Sequence, residues 1–263
     1  MNKTSVVLTA ALLMGAISAH AADTVTGEQP PVAADNPIGS FSWGGYYVGV
    51  NLGYGFGGDG EINSIGQLGP NIANIETGAR PGSVDLDRDG VLGGIQTGYN
   101  WQSGAFVYGV EADFSFADLN DSGDFVTPQI NTGLAQSNVF NSEIDYLGTV
   151  RGRLGFALDR TLIYGTGGLA FGETTSSVDM FAPTGVKQFT GENSDTQFGY
   201  AVGVGVEHAI TERLTLKTEY LYYDLGDETV NVQAIPGTGV AGGYDSTFNN
   251  DGHLIRIGLN YKF

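Results

Sequence analysis

The chain has 263 residues, among them 42 Gly, 13 Tyr and 14 Phe, with 15% charged residues and no cysteine. A formal net charge of −18, with nothing resembling a basic stripe, argues against nucleic acid as a partner. The lack of cysteine excludes disulfides, thiolate metal sites and cysteine nucleophiles, and the length suits one large all-β domain or two small ones.

In chain order, the first element is "MNKTSVVLTAALLMGAISAHA". It has a basic start at Lys3, an apolar run from Val6 to Ile17 that is too short to span a bilayer, and Ala19-His20-Ala21. That order predicts a signal peptide over 1–21, cleaved after Ala21, and therefore export from the cytoplasm. Residues 22–42 carry Pro30, Pro31 and Pro37 with few apolar anchors and predict a periplasmic tether. No later stretch has the apolar length of a transmembrane helix.

From Trp43 to Phe263 the pattern changes to runs that alternate apolar with small or polar side chains, the period of a strand with two different faces. Eight runs are expected, at 43–56, 90–101, 105–116, 143–157, 161–172, 196–209, 213–225 and 253–263. The gaps alternate as well. Three are tight turns (102–104, 158–160 and 210–212), and four are long (57–89, 117–142, 173–195 and 226–252) and rich in Gly, Asn, Asp, Ser and Thr. Short turns at one end and long loops at the other predict an all-β fold, an eight-stranded antiparallel up-and-down transmembrane β-barrel over 43–263.

Face polarity orients the ribbons. In the last run Ile255, Ile257, Leu259, Tyr261 and Phe263 oppose Arg256, Gly258, Asn260 and Lys262; in the fourth, Val150, Leu154 and Phe156 oppose Thr149, Arg151 and Arg153. The polar face is crowded with glycine (Gly49, Gly53, Gly55, Gly199, Gly203, Gly205), which suits the inside of a narrow barrel. An Arg on the lipid face near the midplane would cost about 2–4 kcal/mol, so the polar face is expected to point in. Trp43, Tyr99, Trp101, Phe106, Phe156, Tyr261 and Phe263 then form an aromatic belt near the short turns, and Tyr54, Phe56, Phe114, Phe116, Phe198 and Tyr222 form a second near the long loops. The fifth run, "LIYGTGGLAFG", commits to neither register.

Candidate chemistry is sparse. "DLDRDGVLGGIQ" (85–96) has the Asp85, Asp87, Asp89, Gly90 opening of a calcium loop, but Gln96 stands where a bidentate glutamate is needed and no helices flank it. Asp85, Asp87 and Asp89 are therefore read mainly as an acidic loop rim. The four long gaps hold seventeen acidic residues against Arg80, Arg88 and Lys187; they read as solvated acidic loops, with divalent-ion bridging to lipopolysaccharide as the functional alternative. Inside the barrel, Glu111, Asp113, Glu207 and Glu219 are positioned to pair with Arg151, Arg153, Lys217 and Arg256. An eight-stranded lumen is only wide enough for side chains, so a salt-bridged plug is favoured over a pore. Beyond the signal peptide the only histidines are His208, beside a short turn, and His253, at the outer end of the last run, and nothing sets a nucleophile beside either, so no enzyme is expected.

The fragments "FSWGGYYVGVNLGYGFG", "GTVRGRLGFA", "LIYGTGGLAFG", "YLYYDLG" and "RIGLNYKF" together resemble the small outer-membrane immunogenic proteins of alphaproteobacteria, which are porin-family surface antigens. The resemblance runs from Phe41 to the end. It implies an outer-membrane location, surface-exposed loops and no shared catalytic residues; the loops are expected to meet host factors or antibodies, and no cofactor is expected. Some members are described as weak porins or as binding haemin, for which His253 or Tyr244 would be the candidates. Terminal Phe263 resembles the signal read by the barrel-assembly machinery. The expected role is structural and surface-presenting, with a narrow channel or haemin receptor as the alternative.

Overall fold

Ribbons that alternate between two environments pair in the register that keeps like faces together. The computed structural model describes residues 41–58, 60–129 and 132–263; the expected signal peptide and most of the tether lie outside the described residues. Eight strands form the wall: β1 (Gly45–Phe56), β2 (Asp89–Ser103), β3 (Phe106–Asp124), β4 (Asn138–Leu158), β5 (Thr161–Phe181), β6 (Lys187–Ala209), β7 (Leu214–Ala234) and β8 (Gly243–Lys262). Each pairs antiparallel with its sequence neighbour, and β1 closes the ring on β8, from Tyr47 opposite Lys262 to Phe56 opposite His253. Closure leaves the ring without an edge, so its backbone groups bond within the wall.

The middle of the wall wears large apolar side chains outward. Val50, Leu52, Val91, Ile95, Val150, Leu154, Leu169, Val204, Ile255 and Ile257 are all exposed. Their neighbours in sequence face the lumen, where Asn51, Gln96, Arg151 and Arg256 are buried. An apolar girdle of this extent around a polar interior fits hydrocarbon, not water. Among the described residues no helix is long and apolar enough to cross a membrane; the crossing is made by strands.

Three expectations are corrected. The first concerns the segments 117–142, 173–195 and 226–252. They are largely continuations of strands, not loops: β5 runs on to Phe181 and β6 already begins at Lys187. Crossing a bilayer takes roughly 9–11 residues per strand, whereas β6 has 23. In the extra length the polarity inverts. Val178, Met180, Phe189, Val230, Val232 and Phe248 point in and pack together, while Asp179, Thr229 and Glu192 point out. That is the alternation of a water-soluble barrel, and a rule of polar side chains inward does not find it. The 57–89 segment likewise contributes a strand, Glu61–Gly66, paired with β8, then the helix α1 (Gly69–Glu76) and a short strand Ser83–Asp85.

The second correction is Trp43, which is not a belt residue. It is 2% exposed and packs with Phe41, Leu162 and Ala209 inside the short-turn end, and its indole N–H donates to the Asp159 carbonyl at 3.0 Å. Asp159 takes a left-handed backbone (φ 52°) in the β4–β5 turn, a conformation that Asp tolerates better than bulkier residues.

The third is Tyr244. It is a buried strand residue whose ring lies 5.1 Å from that of Phe189, not an exposed loop tyrosine.

The undecided fifth run is explained by the same interior. In β5 Leu162 and Tyr164 point in and Ile163, Leu169 and Phe171 point out, because the lumen near the short turns is itself apolar. Apolar residues on both faces erase the contrast that sets register.

Candidate functional site

The lumen is filled by charge at the level of the apolar girdle. Strand parity puts Glu111 and Asp113 (β3), Arg151 and Arg153 (β4), Glu207 (β6), Lys217 and Glu219 (β7) and Arg256 (β8) on inward positions, and all eight are buried. Arg151 is central. Its Nη2 lies 2.8 Å from Glu111, 3.0 Å from Asp113 and 3.2 Å from Glu219. Arg256 bridges Asp113 at 2.8 Å and Glu219 at 2.5 Å. Lys217 reaches Glu111 at 2.7 Å, and Arg153 reaches Glu207 at 2.8 Å. Four carboxylates and four cations therefore form one neutral layer.

Hydroxyls and amides complete the carboxylates' bonding. Tyr47 donates to Glu111 at 2.7 Å, Tyr164 to Glu219 at 2.9 Å, Thr149 to Asp113 at 2.5 Å, and Thr215 and Asn260 to Glu207 at 2.5 and 2.9 Å. Arg153 also sits over the Tyr164 ring, 4.0 Å from its centroid, a cation–π contact that suits a weakly hydrated guanidinium. Glycine makes room for these rings: a Cβ on Gly98 would run into Tyr47, and one on Gly205 into Tyr164.

Sequence reasoning missed Tyr47 and Tyr164 because it counts aromatic rings as lipid-facing. Their inward parity, shared with Gly49 and Asn51 in β1 and with Gly168 in β5, was the available signal. Thr149, Thr215 and Asn260 lie on inward positions of the alternation but carry no charge to mark them out.

Apolar side chains stopper the layer on both sides. Toward the short turns lie Trp43, Val107 and Leu162. On the other side lie Leu92, Leu119, Leu147, Leu221 and Leu254, followed by a polar tier in which buried Arg88 donates to Ser142 at 2.6 Å and to Asn250 at 2.9 Å. A balanced ion-pair layer between two dry clusters can brace strands against one another. It offers no unpaired charge line along which an ion would pass.

The aspartates of 85–89 do not converge. Asp85, Asp87 and Asp89 are exposed, while Val84, Leu86 and Arg88 between them are buried, so the acidic repeat is an outward strand-like face. The Asp87 backbone N–H donates to Asp121 at 2.9 Å, and Asp89 accepts from Tyr54. Among the described residues no group of three or more His, Asp or Glu side chains is arranged to hold a metal. His253 faces outward beside Phe56 and shares a 2.8 Å hydrogen bond with the Tyr220 hydroxyl. It sits midway along β8, not at the strand's outer end.

Comparison with known proteins agrees with this architecture. The family described as "Outer membrane protein beta-barrel domain" matches residues 9–263. The 31 kDa outer-membrane immunogenic protein of Brucella melitensis is 36% identical over 263 residues, covering 98% of this chain and 99% of the relative. A 22 kDa outer membrane protein of Rhizobium leguminosarum bv. viciae is 32% identical, covering 84% and 79%. Among solved structures, the outer membrane protein OprG of Pseudomonas aeruginosa superposes with a TM-score of 0.57 at 14% identity, covering 86% of this chain and 99% of that one; at that identity the likeness is one of fold.

Proposed function

The chain belongs to the outer membrane protein beta-barrel domain family, and on that premise we propose that it is a sealed barrel whose work is mechanical and surface-presenting. It braces the envelope and holds its long-strand end outside the cell. The observation that carries this reading is the stoppered lumen, where Arg151, Lys217, Glu219 and Arg256 are almost wholly buried between apolar clusters. On this reading the protein is not an enzyme, and the acidic outer segments face host factors and antibodies, as befits relatives named immunogenic. Its other partners are membrane lipid, lipopolysaccharide, and the assembly machinery that reads Phe263.

Planar-bilayer recording tests the reading. The purified barrel is expected to give no steady ohmic steps. Reproducible unit conductance that shifts in Lys217→Ala would favour the narrow channel instead. A haemin receptor predicts a difference absorption band that is lost in His253→Ala, and none is expected.

Export supplies a separate check. Intact mass of the protein extracted from outer membranes is expected to correspond to a chain starting at Ala22. A retained Lys3 would refute cleavage of the leader.

A further inference from the structure

At the end of the barrel away from the short turns, a cavity of about 410 Å3 opens beside the first turn of α1, Gln188, Phe189 and the 239–241 loop. Arg80 lines it and is 2% exposed. Its Nη1 donates to Asn138 Oδ1 at 2.7 Å and to the Phe181 carbonyl at 3.1 Å, and its Nη2 donates to Gln188 Oε1 at 2.9 Å. All three acceptors are neutral. The four cations of the girdle layer each hold a carboxylate within 3 Å, whereas among the described residues no carboxylate is paired with Arg80, and its acceptors are as neutral as those of Arg88. Burial pushes the Arg80 guanidinium below its ordinary pKa, outweighing the opposing effect of the neighbouring Tyr244 hydroxyl.

Two further observations sit in the same wall. Asn71 is 2% exposed; its amide N–H donates to the Ala241 carbonyl at 3.3 Å, and its Oδ1 has no hydrogen-bond partner. The first turn of α1 has neither a capping side chain nor an acidic residue, so the positive end of the helix is not neutralised locally. In a chain of net charge −18, Arg80 and the first turn of α1 line the same cavity. Phe189 supplies an apolar surface beside them.

We propose that this cavity binds a small organic carboxylate, with its anionic group against Arg80 and the start of α1 and its apolar body against Phe189. A carboxylate that takes the place of the Gln188 amide on Nη2 exchanges a neutral acceptor for a charged one, and bonds of that kind are roughly twice as strong.

Calorimetric titration of the full-length barrel in detergent with 4-hydroxybenzoate, and with the neutral 4-hydroxybenzamide as its match, tests the assignment. The acid is expected to bind saturably and at least about tenfold more tightly than the amide. Arg80→Gln and Ala241→Trp are each expected to weaken it by about tenfold or more, the second by filling the cavity while leaving the bonds of Arg80 in place. Equal affinity for acid and amide, no saturable binding, or unchanged binding in Ala241→Trp would overturn the proposal. Ala241→Trp decides the matter alone if Arg80→Gln does not fold.

Discussion

Replacing Arg151 with methionine is expected to cost roughly 3–5 kcal/mol of folding free energy, because it removes one partner of a buried ion network and strands the others. Among the described residues Arg151 is the only side chain that touches Glu111, Asp113 and Glu219 at once. Without it Glu111, Asp113 and Glu219 crowd the lumen, held by Lys217, Arg256 and, more distantly, Arg153. Methionine keeps much of the volume, so the loss reads out charge and not a cavity. Urea titration of folding into lipid vesicles, followed by the mobility shift between boiled and unboiled samples, measures the cost. Arg160→Met is the matched control. Its pair with Glu212 lies at a short turn with both side chains more than a third exposed, and such pairs contribute about 0–1 kcal/mol. If both substitutions cost under about 1 kcal/mol, the charge layer does not brace the barrel.

The second large effect is expected on the opposite face. Ile257 is 55% exposed in the middle of the apolar girdle, opposite Leu52 on β1. Ile257→Arg is expected to destabilise the folded barrel by about 2–4 kcal/mol in vesicles, the cost of a guanidinium near the bilayer midplane. Glu192→Arg, on the outward face of β6 beyond the girdle, is expected to change stability by less than about 0.5 kcal/mol. The contrast between these two outward positions locates the edge of the hydrocarbon. Equal costs would mean that the girdle does not mark the membrane.

Much of this is legible in the amino-acid sequence. The eight spanning ribbons, the orientation of all but the fifth and the eight inward charges follow from alternation, which is local, because a side chain's face depends only on its parity along the strand. Legibility ended where the contrast ended. In β5 the inward Thr174 and Ser176 and the outward Thr175 and Ser177 are chemically alike, so nothing in "TTSS" announces a strand. What makes it one is its backbone pairing with β4 and β6, and its inward face is set by the bonds of Thr174 and Ser176 to Glu228 of β7, at 2.9 and 3.2 Å. Trp43 was misplaced for a related reason: an aromatic residue at a barrel end suits either a lipid interface or a stopper, and its indole bond to Asp159, 116 residues away, selects the second.

By itself, then, the sequence determined the class of fold, the membrane-crossing stretches and which charged side chains turn toward the lumen. Only the tertiary structure decided which charge meets which, as with Arg256 and Asp113 across 143 residues. It also decided how far the strands run past the girdle and that Arg80, Asn71 and Phe189 share one cavity. The division has one physical origin. Facing is written in neighbouring residues, whereas pairing and enclosure depend on how the ring closes, and that is settled by contacts between strands far apart in the chain.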